Sequence, residues 1–158
     1  MFNAKSLIKL AIAAAIYVVL TLISYPLSFG QVQFRVSEIL LLLCFFNPKY
    51  GVSLVVGCFL SNLASPFGPI DWVLGTAHTL IAVLFIIWAR KARLPLWVAS
   101  FGALIGTPLI GLAINIASGL PIIISTLWVA LGEFVVVTII GVPIFKWLQK
   151  RKSFSAIL

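Results

Sequence analysis

Residues 7–24 read LIKLAIAAAIYVVLTLIS, an apolar run in which Lys9 is the single charged side chain. A bilayer crossing takes about 20 apolar residues, so this stretch predicts a membrane-spanning helix that stops at Tyr25–Pro26. Lys5 and Lys9 give it the basic flank of a signal peptide. No small-residue cleavage site precedes Pro26, however, and the segment is expected to stay as the first helix.

The same pattern recurs along the chain. Further apolar segments run over about 35–46, 51–64, 72–89, 96–115 and 123–147, separated by Asn47–Pro48–Lys49, Ser65–Pro66–Phe67–Gly68–Pro69 and similar breaks. The second and third hold about 12–14 residues, which at about 1.5 Å each span roughly 20 Å of a roughly 30 Å core. Short or broken spans are tolerated where protein or a cavity covers them. The expectation is an all-α integral membrane protein of six transmembrane helices in one bundle and one domain.

Composition agrees. Of 158 residues 63% are hydrophobic and 9% charged, against about 45–50% and 25% in soluble domains, which excludes a soluble enzyme on a single anchor. The net charge of +8 comes from 11 bases and 3 acids. Ten of the bases (Lys5, Lys9, Lys49, Arg90, Lys91, Arg93, Lys146, Lys150, Arg151 and Lys152) fall on one side of the predicted bundle. By the positive-inside rule both termini are then cytoplasmic, and no nucleic-acid partner is needed to explain the charge. Arg35 alone lies on the outer side. Cys44 and Cys58 sit inside apolar segments and read as small core residues, without disulfide or metal spacing. No Walker motif, catalytic triad spacing or internal repeat is visible, so neither an ATPase, an enzyme nor an inverted-repeat transporter is expected.

Ionisable and amide side chains within spans are costly and usually face the bundle interior or a water-filled cavity. Arg35 and Glu38, spaced i, i+3, share one face near the outer surface and form either a local ion pair or a ligand contact. Asn62 and Asn115, near the outer ends of the third and fifth helices, either bond between helices or meet a ligand. Asp71 would cap the fourth helix or join the same pocket. His78 lies two turns deeper, as a structural hydrogen-bonding group or a ligand contact. Glu133 is expected roughly 14 Å below the outer end of the sixth helix, with no base near it in sequence, which makes a functional role its default. Its neighbour Gly132 would allow a ligand or another helix to approach closely. Together with the Gln31/Gln33 loop these residues describe a pocket open to the outside. Phe34, Trp72 and Trp128 lie at the same level and either form an interfacial belt or stack on a flat ligand. Ala11 and Ala15 make a small-residue face on the first helix, and Gly102 and Gly106 a similar one on the fifth.

Several segments carry a resemblance: Pro26–Gly30 (PLSFG), Val32–Glu38 (VQFRVSE), Ser61–Pro66 (SNLASP), Gly75–Thr76 and Gly132–Glu133. With the Ala11/Ala15 face, they resemble the QueT-type queuosine-precursor transporters, substrate-binding S components of energy-coupling factor (ECF) transporters, over roughly Ala11 to Trp147. The resemblance implies capture of a 7-deazaguanine base, such as 7-aminomethyl-7-deazaguanine or its 7-cyano analogue, at a cell membrane. It also implies a membrane coupling protein contacted by Ala11 and Ala15, and two cytoplasmic ATPase subunits that use the ATP. The chain itself is expected to hold no cofactor and no metal. A guanine-like edge offers adjacent N–H donors that a carboxylate accepts as a pair, so Glu133 or Glu38 would take it. Asn62 or Asn115 would meet the remaining polar atoms, and Asp71 a cationic aminomethyl group. Other readings are an S component for another vitamin, a proton-coupled antiporter using Glu133 and His78, and a scaffold whose polar groups only join helices.

Overall fold

A computed structural model describes residues 4–30, 32–151 and 154. Gln31 of the expected polar loop and Lys152 lie outside the described residues. The described chain is helical, without strands. We label its six apolar helical units α1 (Ala4–Ile23), α2 (Val36–Phe46), α3 (Tyr50–Asn62), α4 (Pro69–Lys91), α5 (Leu96–Ser118) and α6 (Ile122–Leu148). Four of them, α1, α4, α5 and α6, are long and apolar enough to cross a membrane, while α2 and α3 are shorter.

The expected segments correspond to these units, with differences that have local causes. An extra helical turn, Tyr25–Ser28, follows α1 with proline in its first turn. The start of α4 falls before residue 72, because Pro69 fits the first turn of a helix and Gly68, at φ 65°, supplies the turn into it. Asp71 therefore lies inside the first turn and is not the cap. α5 is broken into Leu96–Ser100, Gly102–Ile105 and Thr107–Ser118, the last piece beginning at the Gly106–Pro108 stretch, where proline cannot continue the hydrogen-bond ladder. It runs past residue 115 to Gly119, whose φ of 73° closes it in the left-handed region.

Two units depart from α geometry. α2 opens as a 3₁₀ helix over Val36–Leu42 before one α turn, and α6 passes through a π-helical stretch, Phe134–Gly141, that begins directly after Glu133. π segments inside α-helices are rare and frequent at functional sites. α1 packs on α3, α3 on α4, α4 on α5 and the end of α5 on the start of α6, while α2 lies among α1, α4 and α6. This central place explains its composition. Leu41, Leu42 and Cys44 are fully buried, as a short helix surrounded by longer ones requires.

The surface is apolar where the helices face outward: Ile8, Ile12, Val19 and Ile23 on α1 and Leu127, Trp128 and Ile139 on α6 are all exposed. Polar side chains are instead buried, among them Arg35, Glu38, Asn62, Asp71, His78, Thr79 and Glu133. That inversion suits a solvent of lipid, in which exposed hydrocarbon costs nothing and a charge must face inward.

Candidate functional site

The three acidic residues of the chain, Glu38, Asp71 and Glu133, come from three different helices, and each is at most 2% exposed. Arg35, 1% exposed, lies among them. Its Nη1 is 3.9 Å from Glu38 Oε1 and its Nη2 is 3.9 Å from Asp71 Oδ2. Both separations permit attraction but exceed hydrogen-bond length. The guanidinium also sits over the Phe29 ring at 5.3 Å. Glu133 is close enough to Glu38 and Arg35 for their charges to interact. The i, i+3 pairing of Arg35 with Glu38 is thus present, but as one edge of a four-residue cluster.

Glu38 is held from several sides through one oxygen. Tyr17 of α1 donates its hydroxyl hydrogen bond to Glu38 Oε1, and Thr79 of α4 approaches the same atom at 3.3 Å. One turn beyond Tyr17, Thr21 shares a 2.7 Å hydroxyl contact with Ser37. These contacts fasten α1 to the start of α2 and leave Glu38 Oε2 buried with no protein partner. Below Arg35 lies the Cys58 sulfur, contacted by Thr79 at 3.1 Å, Asn62 Nδ2 at 3.4 Å and Arg35 Nη1 at 3.7 Å. Asn62 Nδ2 also donates to the Asp71 backbone carbonyl at 3.2 Å.

Glycine makes the room. A Cβ at Gly75 would lie 2.6 Å from Asn62 Nδ2 and 2.7 Å from Asp71 Oδ1. One at Gly132 would collide with the Val32 carbonyl and lie 3.0 Å from that of Gln33. Gly132 therefore admits the backbone of the loop before α2, not another helix, beside Glu133. Gly102 and Gly106 form an internal face: a Cβ at Gly106 would be 2.7 Å from His78 Cδ2. There His78 Nε2 meets the Ala103 carbonyl at 2.8 Å. Since a carbonyl only accepts, Nε2 carries a proton there, and Nδ1 is buried and unpartnered.

Buried polar groups are normally paired, yet here the orphans accumulate. Glu38 Oε2, Asn62 Oδ1, both Asp71 carboxylate oxygens, His78 Nδ1 and Glu133 Oε2 lack hydrogen-bond partners, as do the donors Gln33 Nε2, Arg35 Nε and Nη2, and Trp72 Nε1. The hydroxyls of Thr76 and Ser125 are also alone. On α4, Asp71, Gly75, His78 and Thr79 repeat at helical spacing on one buried face, and on α6 Ser125, Val129, Gly132 and Glu133 do the same. Such a set, three acids beside one base, offers many acceptors to a small polar molecule.

Of the residues singled out in the sequence, Arg35, Glu38, Asn62, Asp71, His78 and Glu133 are gathered into this region. Asn115 is not among them: its amide donates to the Leu120 carbonyl at 2.7 Å and braces the turn that ends α5. Trp128 is 44% exposed on the outer surface of α6, where it suits a lipid interface. Phe34 is half-buried and packs on the apolar core. Ala11 and Ala15 face outward while Ala13 and Tyr17 are buried inward, so α1 carries an exposed small-residue face opposite the face that holds Glu38. Sequence reading missed Tyr17, Thr79, Cys58 and Phe29. Tyr17 and Thr21, polar at i, i+4 in an apolar helix, were the available signal.

A protein-family model of the QueT transporter matches residues 7–150. The chain belongs to the QueT transporter family. It is also 32% identical to the queuosine precursor transporter QueT of Lactococcus lactis subsp. cremoris (strain MG1363), over 94% of this chain and 95% of the relative. No solved structure matches it. Members of the family are transporters, not enzymes, and with four apolar helices long enough to cross a bilayer the chain is a multi-pass membrane protein.

Proposed function

We propose that the chain is the substrate-capture S component of an ATP-driven ECF importer, taking a queuosine precursor from outside the cell membrane. The observation that carries this reading is the approach of Glu38 and Asp71 to Arg35, together with the buried Glu133 and with Glu38 Oε2, both Asp71 carboxylate oxygens and Glu133 Oε2 lacking hydrogen-bond partners, in a member of the QueT transporter family. The substrate is a 7-deazaguanine base. Glu133, lying on Gly132 and at the start of the π-helical stretch, accepts the paired N–H donors of the guanine edge. Glu38 is positioned by Tyr17 and Thr79 so that Oε2 faces the ligand. Asp71 takes a cationic aminomethyl substituent, Arg35 donates to a ligand acceptor, and the unpartnered Asn62 Oδ1 accepts from a remaining N–H.

Three carboxylates against one guanidinium favour a positively charged ligand, so 7-aminomethyl-7-deazaguanine is preferred over the neutral 7-cyano analogue. A buried charge left unpaired is strongly unfavourable, and the cationic ligand supplies the missing partner. α2 and α3 complete six spans, with both termini cytoplasmic and the pocket facing out. A membrane coupling protein contacts α1 at Ala11 and Ala15, and two cytoplasmic ATPases supply the energy. The chain by itself then binds without transporting.

Reconstituted uptake tests this. Vesicles containing the chain together with the coupling protein and ATPases should accumulate labelled 7-aminomethyl-7-deazaguanine only with ATP. Vesicles with the chain alone should bind it and accumulate none. Concentrative uptake by the chain alone, driven by a proton gradient, would replace this reading with an antiporter.

A further inference from the structure

At the end of the molecule where Lys5 and Lys9 enter α1, away from the carboxylates, two cavities adjoin. One, of about 450 Å³, is apolar and is lined by Ile12 and Ile16 of α1, Leu40 of α2, and Ile144 and Phe145 of α6. The other, of about 320 Å³, is ringed by Lys5, Lys9 and Lys49. Lys9 and Tyr50 line both. No acidic side chain lines either one, because all three acids of the chain are in the buried cluster.

The groove has a structural cause. α2 is the short unit of the bundle, and α1 and α6 lie on either side of it without packing closely on each other, so its flank is left uncovered between them. Ile12, Ile16 and Ile144 are 53%, 44% and 41% exposed, which opens the apolar chamber to the hydrocarbon around the protein. A soluble anion has no use for that chamber, and an uncharged lipid has none for three lysines.

We propose that this composite groove binds an anionic phospholipid of the leaflet on the lysine-rich side. One acyl chain lies against Ile16, Leu40 and Phe145, and the headgroup phosphate sits among Lys5, Lys9 and Lys49. Clustered lysines near a membrane surface attract anionic lipid, and their long stems let the ammonium groups rise to headgroup level while the methylenes cover apolar wall.

The test is native mass spectrometry and thermal unfolding of the purified full chain in detergent, titrated with phosphatidylglycerol, phosphatidylcholine or inorganic phosphate. The expected result is one retained phosphatidylglycerol per chain, at least tenfold preferred over phosphatidylcholine, with a raised melting temperature. The Lys9→Gln/Lys49→Gln variant should reduce that preference below threefold at unchanged helix content. Ile16→Trp, which fills the apolar chamber from an exposed position, should abolish phosphatidylglycerol retention with all three lysines intact. Equal retention of the two lipids, an unchanged preference in the folded double variant, or stabilisation by inorganic phosphate as large as by phosphatidylglycerol would overturn the proposal. None of these readouts depends on the transported cargo.

Discussion

The polar cluster around Arg35 is buried and the aromatic cluster around Phe46 largely so, and they are satisfied in opposite degrees. Phe46 stacks on Phe145 at 5.8 Å and meets Phe154 edge-on at 5.3 Å, so these side chains hold one another through apolar contacts. Around Arg35, by contrast, carboxylate oxygens and N–H groups lie buried with no hydrogen-bond partner. Dispersion contacts hold the aromatic cluster together, whereas the polar cluster keeps hydrogen-bonding capacity that the protein itself does not use. The contrast separates the part of the molecule that maintains the fold from the part we propose binds cargo.

Breaking the polar side should have the largest effect. Arg35→Met removes the one cation among three buried carboxylates, and breaking a buried ion pair in this way costs about 3–5 kcal/mol. Binding of a deazaguanine should fall below detection and the melting temperature should drop. Glu133→Gln keeps the shape and removes an acceptor for the guanine edge. A lost charge-assisted hydrogen bond costs about 1.5–3 kcal/mol, so titration calorimetry should read a loss of roughly 10–100-fold in affinity with helix content unchanged.

Smaller changes sharpen the comparison. Tyr17→Phe deletes the hydroxyl that holds Glu38 Oε1 and should weaken binding by about tenfold, matching about 1–1.5 kcal/mol for one hydrogen bond. Gly132→Ala would push the Val32–Gln33 backbone away from Glu133. Overpacking of this kind costs about 1–3 kcal/mol, and the effect on affinity should exceed that on overall helix content. The smallest effect on binding belongs to the aromatic side. Phe145→Leu should lower the melting point modestly and leave deazaguanine affinity within about twofold, since distant sites act additively.

Much of this division was legible in the sequence, and the reasons for the remainder are physical. Apolar runs bounded by proline announced the helices, because length and hydropathy decide what can lie in a bilayer. Arg35, Glu38, Asp71 and Glu133 were conspicuous because charge inside a span is expensive. Tyr17, Cys58 and Thr79 were not, since each is at home in an apolar helix and gains its role only from partners 17 to 41 residues away. Asp71 looked like a cap because Asp often precedes a helix. Pro69 started the helix earlier and turned the side chain inward. Neither the 3₁₀ opening of α2 nor the π stretch after Glu133 has a periodicity that the eye separates from an ordinary apolar helix.

The central claim is that the buried carboxylates form a cargo site selective for a cation. Equilibrium titration of the purified chain, without any ATPase partner, against 7-aminomethyl-7-deazaguanine, its 7-cyano analogue and guanine tests it most directly. The account predicts saturable one-to-one binding, tightest for the aminomethyl compound by tenfold or more, and loss of that preference in Asp71→Asn. Equal affinity for all three, or no binding by a folded chain, would contradict it.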